Sequence, residues 1–134
     1  MTQRKITICG KEVDIFYCAA TEKGFETMTD KTVAVFWPTF KQNEQGETVL
    51  DQMPTAKTGD YLYLAIAGIV AADTYYKREA TIDTNDILFN ATPEERNLLV
   101  QTIAELRDEW YGIPKVVADA VAKENKTADA QAKN

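Results

Sequence analysis

The sequence predicts an α+β fold: an N-terminal β-hairpin packed on a small bundle of three main helices. Three stretches carry this expectation. "KITICGKEVDIFYC" (5–18) alternates apolar and polar residues around a Gly-Lys pair, as hairpin strands do. "YLYLAIAGIVAA" (61–72) is an almost unbroken apolar run, too long for one strand. "TPEERNLLVQTIAELRDEWYGIP" (92–114) opens on a capping sequence and closes on Gly and Pro, as a helix does.

Taken in order, Gly10-Lys11 predicts a type II′ turn, with glycine at the first central position. That turn pairs Cys9 with Glu12, Ile8 with Val13 and Ile6 with Ile15. Ile6, Ile8, Val13, Ile15 and Tyr17 then share one face, and Phe16 and Cys18 lie on the other. Cys9 and Cys18 stand about 20 Å apart along the strand at 3.3 Å per residue. A disulfide needs Cα atoms within about 7 Å, so the two cannot bridge. A first helix is predicted over 20–29, capped by Thr21, with Phe25 and Met28 facing the core. "KTVAVFW" (31–37) reads as a strand that "GETVLDQM" (46–53) returns against. Pro38 and Pro54 confine such a pair to an edge or to loop, so 32–53 is either a second β-ribbon or loop.

The second helix, over 59–78, is apolar nearly all round, which marks a central core helix. Small residues around Gly68 let neighbours approach closely, and Lys77 and Arg78 suit a C-terminal dipole. Ile87, Leu88 and Phe89 read as a short inward-packing helical turn. Thr92 and Glu95 form a capping box with Pro93 at the first helical position. Leu99, Ile103, Leu106 and Trp110 make one apolar stripe of a helix over 93–111, which Gly112 and Pro114 stop. These elements make one domain over 1–116. Residues 117–134 are polar, with no aromatic side chain and, from residue 119, only one large aliphatic one, and read as a flexible tail.

Composition narrows the function. The chain has 134 residues, enough for one self-sufficient core, and a formal net charge of -6. That charge argues against nucleic acid, which needs clustered Lys and Arg. The apolar run falls short of the roughly 20 residues that span a bilayer, and the N-terminus carries no signal-peptide pattern. Two cysteines are too few for a disulfide framework, which points to a reducing cytoplasm. There is no histidine, so His-based nucleophilic mechanisms and the usual zinc sets are excluded. Gly10-Lys11 lacks the flanking residues of a phosphate-binding loop. "DTND" (83–86) lacks the glycine and distal glutamate of a calcium loop. Glu94/Glu95 and Asp108/Glu109 read as wet helix faces. No catalytic residue, cofactor or metal is expected. The residues placed to meet another protein are aromatics at element ends: Phe16 on the second hairpin face, Trp37 and Phe40 at the ribbon, and Trp110 with Tyr111 at the last helix end.

The order of features resembles a known family. "ICGKEVDIFY" leads into "AATEKGFETMTDK", and an apolar middle helix, a "TPEE"-capped helix and a polar tail follow. This is similar to the tail assembly chaperones of long-tailed bacteriophages, in particular the small Bacteroides-phage-like versions. The chain departs from the commoner pattern at Asp30-Lys31-Thr32 and in the long stretch 38–57. The resemblance implies a protein without enzymatic activity. It implies binding to the tape measure protein, a long helical polypeptide, and recruitment of tail tube subunits around it. It further implies self-association in many members, action in the cytoplasm of the bacterial host, and absence from the finished virion. Two other classes stay open: a permanent virion component such as a connector or tail completion protein, and a small-molecule enzyme or binding domain in which Tyr63 or Tyr75 meets a buried acid.

Overall fold

The computed structural model describes residues 1–113. Its elements run β1 (Thr2–Ile8), β2 (Lys11–Tyr17), α1 (Ala19–Thr29), a 3-10 turn (Val33–Phe36), β3 (Thr39–Gln42), β4 (Thr48–Gln52), α2 (Thr58–Tyr75), α3 (Thr84–Asn90) and α4 (Pro93–Tyr111). β1 pairs with β2 and β3 with β4, both antiparallel, in two separate sheets. The α+β class expected from the sequence is the class observed. The tail expected over 117–134 lies outside the described residues.

The first hairpin forms on a different turn from the one expected. Cys9 and Gly10 both have positive φ, 51° and 75°, which makes them the central pair of a type I′ turn. Ile8 therefore faces Lys11, Ile6 faces Val13 and Arg4 faces Ile15. The sum of paired residue numbers drops by two, an even shift, so every side chain keeps its face. Ile8, Val13, Ile15 and Tyr17 are buried in the main core as the alternation predicts. The left-handed Cys9 is held from far along the chain: its N–H donates to Glu95 Oε2 at 2.6 Å. The cysteines are both free, one in this turn and the other at the N-cap of α1.

α2 is the hub, packed by α1, β2 and α4. Its small residues act where two backbones meet. A Cβ on Gly68 would lie 2.7 Å from the Phe16 carbonyl oxygen and 2.8 Å from Ile15 Cγ2. The helix ends at Tyr75, short of the expected 78, because Lys77 turns left-handed at φ 54°. Arg78 does not cap the helix by charge; it folds back, donating from Nε to Asp73 at 2.7 Å and from Nη2 to Asp14 at 2.8 Å. Asp73 also accepts from Thr81 N and Thr81 Oγ1. Burial opposes its charge, but these bonds outweigh it and hold the carboxyl below its ordinary 3.8. At the other end of α2, Asp60 accepts from Lys31 Nζ and Lys57 N, both at 2.9 Å.

Four further expectations are corrected. Thr21 does not cap α1, which starts at Ala19; its buried hydroxyl donates to the Phe16 carbonyl at 2.7 Å. Met28 is exposed, and Phe25 is the one apolar side chain fully buried on that helix. Residues 31–37 form no strand: the 3-10 turn rotates Phe36 inward between Phe25, at 4.9 Å between ring centres, and Tyr61, at 4.8 Å. The ribbon within 32–53 does form, but its first strand begins after Pro38. In α3 only Ile87 points inward, with Leu88 and Phe89 in solvent. α4 spans 93–111 as predicted, with both capping-box bonds made and Gly112 left-handed at φ 68°. Leu99, Ile103 and Leu106 are buried; Trp110, at the end of their stripe, is not.

Candidate functional site

Of the five aromatics expected to meet a partner, Phe16 is removed by the structure. It is fully buried on the back of the hairpin, edge-on to Tyr75 and Tyr76 at 5.5 and 5.6 Å and against Ala71 and Ala72. It packs under the end of α2, neither beneath the ribbon nor on the surface. Phe40 is 61% exposed on β3, opposite Leu50 of β4. Trp110 and Tyr111 are 40% and 44% exposed at the end of α4.

Trp37 and Tyr111 are brought together, ring edge to ring face, with centres 4.8 Å apart. Arg107 lies one turn before Tyr111 and packs its guanidinium over Trp37, Phe36 and Tyr61. Its Nη1 donates to the Phe36 carbonyl at 3.3 Å and its Nη2 to Asp108 at 3.1 Å. Glu22 Oε2 accepts from Tyr17 Oη at 2.8 Å and from Tyr111 Oη. Burial and the Glu22 carboxylate push the Tyr111 phenol up to about 12. This knot fastens the 3-10 turn and the end of α4 to the first turn of α1. Its phenols share the Glu22 carboxylate and both Arg107 Nη atoms are bonded, while Arg107 Nε is buried with no hydrogen-bond partner among the described residues. The packed rings and these bonds fix the base from which the β3–β4 ribbon leaves.

The surface that sequence reasoning missed is a groove between α1 and α2. It is an open apolar trough of about 380 Å³ floored by Ala20, Gly24, Ala67 and Ala71 and walled by Met28 and Val70. The floor exists because α1 and α2 cross closely: a Cβ on Gly24 would stand 3.3 Å from Ala67 Cβ. Val70 is 50% exposed in the middle of a helix otherwise patterned for full burial. The i, i+4 pairs Ala20/Gly24 and Ala67/Ala71 were the available signal, since such pairs make a flat helix face that another helix can approach.

Among the described residues neither Tyr63 nor Tyr75 hydrogen-bonds a buried carboxylate, Asp60 and Asp73 being held by Lys31, Lys57, Arg78 and Thr81. Nor, among these residues, do three His, Cys, Asp or Glu side chains converge as a metal set would. No helix among them is long and apolar enough to cross a membrane. No protein-family model, curated protein or solved structure matches the chain.

Proposed function

We propose that the chain is a phage or prophage tail assembly chaperone that works by binding protein and catalyses no reaction. Its clients are the tape measure protein and, around it, tail tube subunits. It acts in the cytoplasm of the bacterial host and leaves before the virion is complete. The observation that carries this reading is the α1/α2 groove. A helix patterned for burial on every side has one side open, and the opening has an apolar floor made of Ala and Gly. An amphipathic helix fits such a trough by laying its apolar face on the floor, the helix-in-groove mode of recognition. A long helical client offers that face repeatedly. The order of sequence features supports the same reading.

The test is co-expression with a tape measure protein from a long-tailed phage of the same host. The chain is expected to co-purify with the client and keep it soluble. Met28→Asp with Val70→Asp places two carboxylates on exposed groove walls and is expected to weaken the complex at least about tenfold while the fold persists. A client that is equally soluble alone and never co-purifies contradicts the proposal. Recovery of the chain in purified particles contradicts it too.

A further inference from the structure

The β3–β4 ribbon packs chiefly on itself. A lone two-stranded ribbon is marginally stable in water, and this one has Phe40 and Leu50 together on one exposed face. Yet its base is firmly built. Pro38 and Pro54 bracket it, Trp37 is clamped by Arg107 and Tyr111, and the Ala56 N–H donates to the Val35 carbonyl at 2.8 Å. An apolar arm on a fixed base is a presented surface.

The same chain carries the complement. The groove is apolar where the arm is apolar, with small residues beneath to admit the Phe40 ring. Its one charged lining residue is Lys23, while the ribbon carries Glu44, Glu47 and Asp51 against a single Lys41, which is already paired with Asp51 at 3.6 Å. The base of the arm and the groove lie on opposite sides of α1. The base knot bonds Glu22, and Gly24 on the groove floor is two residues on, about 200° around the helix. No residue of the arm lines the groove of its own chain, so that groove is open to the arm of a second copy.

We propose that the β3–β4 ribbon of one copy docks in the α1/α2 groove of a second copy. Phe40 and Leu50 sit on the Ala/Gly floor, and Glu44 or Glu47 pairs with Lys23. The contact is head to tail: each docking leaves one free arm and one free groove, so assembly is open-ended and not a closed dimer. It covers the groove until a client helix displaces the arm, and this second clause rests on the function proposed above.

Sedimentation velocity of the full chain at rising concentration tests the contact. The wild type is expected to grow past a dimer. Phe40→Asp with Leu50→Asp is expected to stay monomeric with unchanged circular dichroism, both side chains being exposed. Lys23→Glu is expected to weaken association, and mixing it with a Glu44→Lys/Glu47→Lys chain to restore it. A wild type that stays monomeric, an arm variant that associates like wild type, or a charge swap without rescue overturns the proposal. Client binding is read separately on the monomeric arm variant, whose groove is free. Retention of client there, together with loss of self-association, is the expected result. If wild type and arm variant both fail to hold client while the sedimentation results stand, the chaperone reading fails and the arm-in-groove contact survives.

Discussion

Single residues show where local sequence stops being sufficient. The turn at Cys9-Gly10 and the turn at Gly10-Lys11 are both available to "CGKE", and glycine satisfies either. The choice falls to Cys9, which adopts a left-handed backbone because Glu95, far along the chain, accepts its N–H. No local rule contains that bond. The face assignment still came out right, because the two turns differ by an even register step. Phe16 escapes a local reading for a related reason: it is the one large apolar residue on a polar hairpin face, and the end of α2 covers it. Gly68 was legible as a close-approach residue, and the approach sets a prediction. Gly68→Ala would drive a methyl into the Phe16 carbonyl and Ile15, and is expected to cost about 1–3 kcal/mol in denaturant unfolding. Asp73 sets another. Its native carboxyl is held below the ordinary 3.8, so its contribution is fully present above that value and is lost as pH falls through the lower native value. Unfolding free energy is therefore expected to drop below about pH 4. Asp73→Asn is expected to flatten that acid limb and to cost about 1–3 kcal/mol at neutral pH.

Elements were legible in proportion to the strength of their end signals. α4 matches its predicted bounds because Thr92, Pro93, Glu95 and Gly112 each act through backbone groups of the helix itself. Thr92→Ala removes the hydroxyl that accepts from Glu95 N at 3.1 Å and is expected to lower stability by about 1 kcal/mol, read as a shift in the denaturation midpoint. α2 was placed correctly but ran long, since Lys77 and Arg78 favour a helix end by charge whereas the buried Asp73 pulls Arg78 back across it. The segment 31–37 failed outright. Its β-branched and aromatic content favours a strand, but a 3-10 turn lets Phe36 fill the space between Phe25 and Tyr61. Burying a phenylalanine is worth about 1.5–3 kcal/mol, more than the spread of strand propensity at one residue. The ribbon then starts late, beyond Pro38, and stands out from the body.

At the scale of the whole molecule, the sequence disclosed the fold class and the core, and it disclosed the site only in part. The sequence points to exposed aromatics at element ends, and Phe40, Trp110 and Tyr111 are exposed while Phe16 is buried. The groove was hidden because a helix apolar on all sides reads as fully surrounded, and only the placement of its neighbours shows which side is open. Phe89, 82% exposed on α3, is hidden because an apolar run beside Ile87 reads as packing inward together. The central proposal is that the open side of α2 receives a helix from another protein. Photo-crosslinking tests this most directly, with a photoreactive residue at position 70 on the groove wall and a control at exposed position 5 on the hairpin, during co-expression with a tape measure protein. The predicted result is a client adduct from position 70, mapped to a helical client segment, with little from position 5. Equal adducts from both positions, or adducts from position 5 alone, would contradict the account.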